Sequence, residues 1–118
     1  MENFRKLQVW EKAHQLAVEV YKSTNNFPKS ELFSLVSQKR RAAVSVAANI
    51  VEGSKRKTIK DRQHFLLMAE TSLEELKYYF ILSFDLGYIT REESERLLEL
   101  AREVGRMLNG LSRSLDRL

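Results

Sequence analysis

The stretch that most constrains this chain is residues 42–51, ten consecutive positions without a charge, eight of them apolar. Wound as a helix, Ala42, Ala43, Val44, Val46, Ala47, Ala48, Ile50 and Val51 cover nearly the whole circumference, and a helix apolar all round is normally buried on every side. The run is too short to span a bilayer, which takes about 20 apolar residues. It must therefore lie among other helices of the same protein or of its neighbours. The 118 residues, 43% of them hydrophobic, suffice for one such core, so residues 1–118 are expected to form a single domain.

Three further segments supply those helices. Residues 7–24 place Leu7, Trp10, Ala13, Ala17, Val20 and Tyr21 at three- and four-residue steps, and Phe27-Pro28 ends that helix because proline lacks an amide hydrogen and pushes its predecessor out of the α region. The central segment starts near Ser30 or Ser34, either of which can cap it, and runs to Glu52-Gly53. Thr58, with Asp61 three residues on, opens a third segment that ends at Leu86 before Gly87, with a seam of Phe65, Ala69, Ser72, Leu76, Tyr79, Ser83 and Leu86 broadened by Leu66, Leu73 and Phe80. Thr90 and Glu93 form a capping box for the fourth, where Leu97, Ala101, Val104, Leu108, Leu111, Leu115 and Leu118 alternate in steps of four and three. Short linkers make neighbours antiparallel, so the expected fold is an all-α, up-down-up-down four-helix bundle.

The chain has no cysteine, which removes disulfides, thiolate metal sites and thiol catalysis, and fits a reducing compartment; cytoplasm is the expected location. Phe4-Arg5-Lys6-Leu7 is charged and amphipathic, unlike a secretory leader, and no membrane partner is expected. His14 and His64 sit on different segments without a carboxylate at ligand spacing, so neither a metal nor another cofactor is expected. Without a nucleophile elbow or a glycine-rich phosphate loop, the chain is not expected to be an enzyme. Adjacent Glu74 and Glu75 cannot face each other across a cleft.

Two polar features remain. Gln38, Arg41, Ser45, Asn49 and Glu52 share a face of the central helix. Burying them without partners costs about 1–3 kcal/mol per neutral group, so they should bond to another helix, another subunit or a ligand. Charge is the second feature. Residues 1–62 carry 13 Lys/Arg against 6 Asp/Glu, whereas residues 63–118 carry 7 against 10. The excess gathers in Lys39, Arg40 and Arg41 and in Lys55, Arg56, Lys57, Lys60 and Arg62. Such groups either track a phosphate backbone, with affinity that falls as salt rises, or form a solvated face. No aromatic residues interleave with them, so base-specific readout is not expected.

Phe4, Leu7, Val9-Trp10, Ala13, Phe27-Pro28, Glu31, Leu35, the run from Gln38 to Gly53, Ser72-Leu73, Glu75-Leu76 and Leu86-Gly87-Tyr88 together resemble a known family. These are the four-helix-bundle proteins encoded within intervening sequences of bacterial 23S rRNA genes, a family that includes the accessory variability determinants of diversity-generating retroelements. Val51 stands where the family usually has alanine, and Thr71 where it has glycine. The resemblance implies a homo-oligomer, commonly a pentameric ring, with a positively charged surface or channel. For the retroelement members it implies nucleic-acid binding beside a reverse transcriptase.

The resulting expectation is a non-enzymatic, oligomeric accessory protein that contacts nucleic-acid phosphates through Lys39, Arg40, Lys55, Arg56, Lys57, Lys60 and Arg62. The alternative is a scaffold that docks a nucleic-acid-handling partner. Arg41 is expected to be structural, paired with Glu52 of a neighbour or with Glu75.

Overall fold

The structure, a computed structural model, describes residues 3–118. Four helices account for most of them: α1 (Gln8–Thr24), α2 (Ser37–Ser54), α3 (Ile59–Asp85) and α4 (Arg91–Asp116). A 3-10 turn, Asn3–Lys6, precedes α1. A second, Lys29–Glu31, runs through a π-helical turn, Leu32–Val36, directly into α2. The helices form a rod of 46 × 23 × 23 Å in which α1 packs on α2 and α4, and α3 packs on the same two.

Cross-helix contacts fix the directions. Lys12 meets Glu103 and Arg96 meets Glu19 between α1 and α4, while Ser45 meets Ser72 and Gln38 meets Tyr79 between α2 and α3. Rising numbers on one helix meet falling numbers on the other, which is the antiparallel order expected from the short linkers. Among the described residues no helix is long and apolar enough to cross a membrane.

Local chemistry explains the boundaries. The Thr58 hydroxyl accepts from the Asp61 amide and that of Thr90 from the Glu93 amide, both at 3.1 Å, so each threonine caps its helix. At the end of α3, Gly87 takes φ +80°, and the Gly87 and Tyr88 amides reach back to the carbonyls of Phe84 and Ser83. This is a Schellman ending, and it needs a residue without a Cβ at that φ.

The start of α2 differs from expectation: neither Ser30 nor Ser34 caps it, and the Ser34 hydroxyl donates to the Glu31 carboxylate instead. Nor does Gly53 end the helix. It lies inside α2 where the backbone nears α3, and a Cβ there would stand 3.2 Å from Phe65 Cβ.

The core is one inward stripe per helix. On α3 it runs Leu66, Ala69, Leu73, Leu76, Phe80, Ser83; Phe65, Ser72 and Tyr79 of the expected seam sit at its edge and Leu86 is exposed. On α4 the expected positions are buried or half-buried except Leu118, which is 80% exposed. Within the single chain α2 is not buried all round. Ala42, Ala43, Val46 and Ile50 are buried, but Val44 is 45% exposed and Ala48 faces solvent. Thr71 is exposed, with its hydroxyl on the Leu67 carbonyl, so it crowds no helix contact.

Candidate nucleic-acid interface

The connection from α2 to α3 is short and braced from within. Arg56 does most of the bracing: its guanidinium bonds Glu52 Oε2 at 3.1 Å, lies 4.5 Å over the Phe65 ring, and its carbonyl accepts from Arg62 Nε at 2.8 Å. Two of the five expected phosphate ligands in this segment are therefore occupied in holding the turn. Lys55, Lys57 and Lys60 are exposed and make no ion pair among the described residues. Each ammonium is a mobile point charge on a four-carbon stem, suited to phosphate rather than to a shaped pocket.

The other expected ligands lie elsewhere. Lys39 stands 16 residues before Lys55 on the same helix, about 24 Å away at 1.5 Å per residue. Its side chain is fully buried, which corrects its assignment to a phosphate surface. Lys39 Nζ donates to Ser83 Oγ at 2.9 Å and sits 4.7 Å from the Phe27 ring centroid and 5.3 Å from that of Phe80. Desolvation lowers its pKa to about 8, partly opposed by the negative charge of Glu93.

Arg40 is a clamp on α1. It lies 4.6 Å over the Tyr21 ring, its Nε donates to Thr24 Oγ1 at 2.9 Å, and its Nη2 donates to Asn25 Oδ1 at 3.2 Å. A cation at the last turn of α1 also complements the helix dipole. Its donors are committed within the fold.

The polar face of α2 does pair with α3, but not throughout. Ser45 and Ser72 hydroxyls are 2.8 Å apart, and Asn49 Nδ2 donates to the Ser45 carbonyl and hydroxyl. The Tyr79 hydroxyl lies 2.7 Å from Gln38 Oε1 and 2.5 Å from Glu75 Oε2. Desolvation, then the bond to Glu75, pushes that phenol up to about 12. Glu52 faces solvent and turns to Arg56. The expected Arg41–Glu75 ion pair is not formed; Arg41 is exposed and, among the described residues, has neither ion pair nor hydrogen bond.

Two apolar surfaces stay open on the single chain. Val18 and Tyr21 of α1, Val44 of α2, and Leu32 and Phe33 of the π turn border adjoining grooves, with Phe33 92% exposed. On the far side of the rod, α3 exposes Leu67, Tyr78 and Ile81. Phe33 was hidden in the sequence because the π turn, with about one residue more per turn than α, rotates it off the face that α-helical spacing assigns. Among the described residues, no group of three or more His, Asp or Glu is placed to hold a metal. His14 stacks on Trp10 and His64 meets Phe65 edge-on, both at the surface.

Comparison with known proteins agrees on the architecture. A family model described as 23S rRNA-intervening sequence protein matches residues 5–110. No curated protein matches the sequence. A solved structure from Bacteroides thetaiotaomicron, described as a protein with unknown function from the S23 ribosomal protein family, superposes with a TM-score of 0.82 at 24% identity, covering 89% of this chain and 95% of its own. At that identity the likeness speaks for the fold.

Proposed function

The chain belongs to the 23S rRNA-intervening sequence protein family, and we propose that it is a non-enzymatic, cytoplasmic accessory protein that assembles with copies of itself and binds nucleic-acid phosphates without sequence specificity. The observation that carries this reading is the braced turn. Arg56, Glu52, Phe65 and Arg62 fix the backbone, while Lys55, Lys57 and Lys60 remain unspent and exposed. A set of ammonium groups on a rigid mount attracts a polyanion, and loses affinity as salt displaces the gain from released counterions.

Assembly is supported by the two apolar surfaces. They lie on different sides of the rod and differ in composition, so a contact between them is heterologous and closes into a ring when the rotation allows. We take five as the ring size, the count implied by the family resemblance. Arg41, exposed at the rim of one groove, is then placed to meet a carboxylate of the neighbour.

Fluorescence anisotropy with labelled structured RNA and duplex DNA, at low and near-physiological salt, tests the reading. Binding that weakens as salt rises, and that is lost in the Lys55→Ala/Lys57→Ala/Lys60→Ala variant at unchanged oligomeric mass, supports it. Absence of binding at low salt would move the function to a scaffold that docks a protein partner such as a reverse transcriptase. A monomer mass by light scattering at micromolar concentration would refute the assembly.

A further inference from the structure

The turn between α2 and α3 does not stand alone at its end of the rod. A hollow of about 220 Å³ there is lined by Leu7 ahead of α1, Gly53 and Ser54 of α2, Arg62 of α3 and Leu115 of α4. The starts of α1 and α3 and the ends of α2 and α4 thus converge on one pole. Gln63 donates to the Asp116 carboxylate, tying the start of α3 to the end of α4.

Convergence brings three further cations to the same pole: Lys6 from the turn before α1, Arg113 from the last turn of α4, and Arg117 just beyond it. All three are exposed, and none makes an ion pair among the described residues. The carboxylates near them are mostly engaged. Glu52 is held by Arg56 and Asp116 by Gln63, leaving Asp61 of the first turn of α3 and Glu11 of the first turn of α1.

The opposite pole is mixed, with exposed Lys22, Lys29 and Arg91 set among its carboxylates. Glu92 and Glu93 occupy the first turn of α4, Arg96 is spent on Glu19 and Glu93, Lys39 is buried, and Arg40 is committed to α1.

We infer that Lys6, Arg113 and Arg117 join Lys55, Lys57 and Lys60 in one end-on face that binds the phosphate backbone of a nucleic acid. The inference rests on the reading of the loop lysines as phosphate ligands, and it enlarges that site from one loop to the whole 23 Å-wide end of the rod. Cations reach it from the two chain extremes and from the middle, so the site exists only in the folded bundle. Subunits packed side by side through their flanks in a ring point their poles the same way, and the faces add.

The test is the salt dependence of binding. Each phosphate contact contributes about 0.9 to the slope of log K against log salt on duplex DNA, so removing three of six cations should cut the slope by about half. We therefore compare the full-length protein with Lys6→Gln/Arg113→Gln/Arg117→Gln and with a control, Lys22→Gln/Lys29→Gln/Arg91→Gln, which removes the same charge from the opposite end. The expected result is a slope halved in the first variant and kept in the control, with oligomeric mass unchanged in both. A wild-type slope in the first variant, while the loop variant loses binding, overturns the end-on face and leaves the loop reading standing. Equal losses in both variants also overturn it, since net charge alone is then acting. If the wild-type protein binds no duplex at low salt, the loop reading fails and the face falls with it.

Discussion

The two ends of α2 carry the same kinds of residue and use them in opposite ways. At the first, Lys39 and Arg40 are adjacent, yet one is sealed between Phe27, Phe80 and Ser83 and the other is folded onto Tyr21 and Thr24. At the second, Arg56 and Arg62 brace a turn from which Lys55, Lys57 and Lys60 project. A cluster of basic letters is thus not a unit of function. What decides is whether each cation already has partners, and only the second end leaves several without any.

The largest effect that sharpens this contrast is expected from Phe80→Ala. It opens a cavity in the core and removes one ring from Lys39, and should cost about 3–5 kcal/mol in denaturant unfolding. A loss below about 1 kcal/mol would mean that Lys39 is not held there. Arg40→Ala comes next, with a stability loss of about 1–2 kcal/mol from the severed Thr24 and Asn25 bonds and the lost stacking. Its nucleic-acid affinity should match the wild type.

Lys39→Met replaces a buried charge with an apolar side chain of similar length and should raise stability at pH 7 by about 1 kcal/mol. The pH dependence gives a second readout. Lys39 loses its proton at about 8 in the folded protein but near its ordinary 10.5 when unfolded. Between those values the unfolded chain binds more protons, so wild-type stability should rise with pH from 8 towards 10. Tyr79, pushed up to about 12, and Tyr88, raised by its bond to Glu31, work in the other direction once pH passes 10. Thermal melts of the methionine variant should lack the rise. The smallest effect belongs to Lys55→Ala/Lys57→Ala/Lys60→Ala, whose stability should stay within about 0.5 kcal/mol of wild type because those side chains are exposed and make no ion pair among the described residues.

Much of the fold was legible because its signals are local. The alternating spacing on α4 states which face is inward, Thr58 and Thr90 each satisfy an orphan amide, and Gly87 stops α3 where only glycine takes the required φ. The site was less legible because partnership is not local. Lys39 looks like its basic neighbours until it is placed on the stripe Lys39, Ala43, Val46, Ile50, Gly53, whose steps of four and three mark it as inward. Ser83, small and on the facing stripe of α3, makes the room. Residue spacing thus held that answer, whereas charge counting concealed it. Arg113 and Arg117 lie more than 50 residues from the loop lysines, so only the closing of the bundle reveals that they share an end.

The lysines of the α2–α3 turn are available to a polyanion, whereas Lys39 and Arg40 at the start of α2 are not. Fluorescence anisotropy of one labelled duplex against Arg40→Ala and Lys55→Ala/Lys57→Ala/Lys60→Ala, at one low salt concentration, tests this contrast most directly. The first should keep wild-type affinity and the second should lose at least tenfold. Equal affinities, or the larger loss in Arg40→Ala, would contradict it.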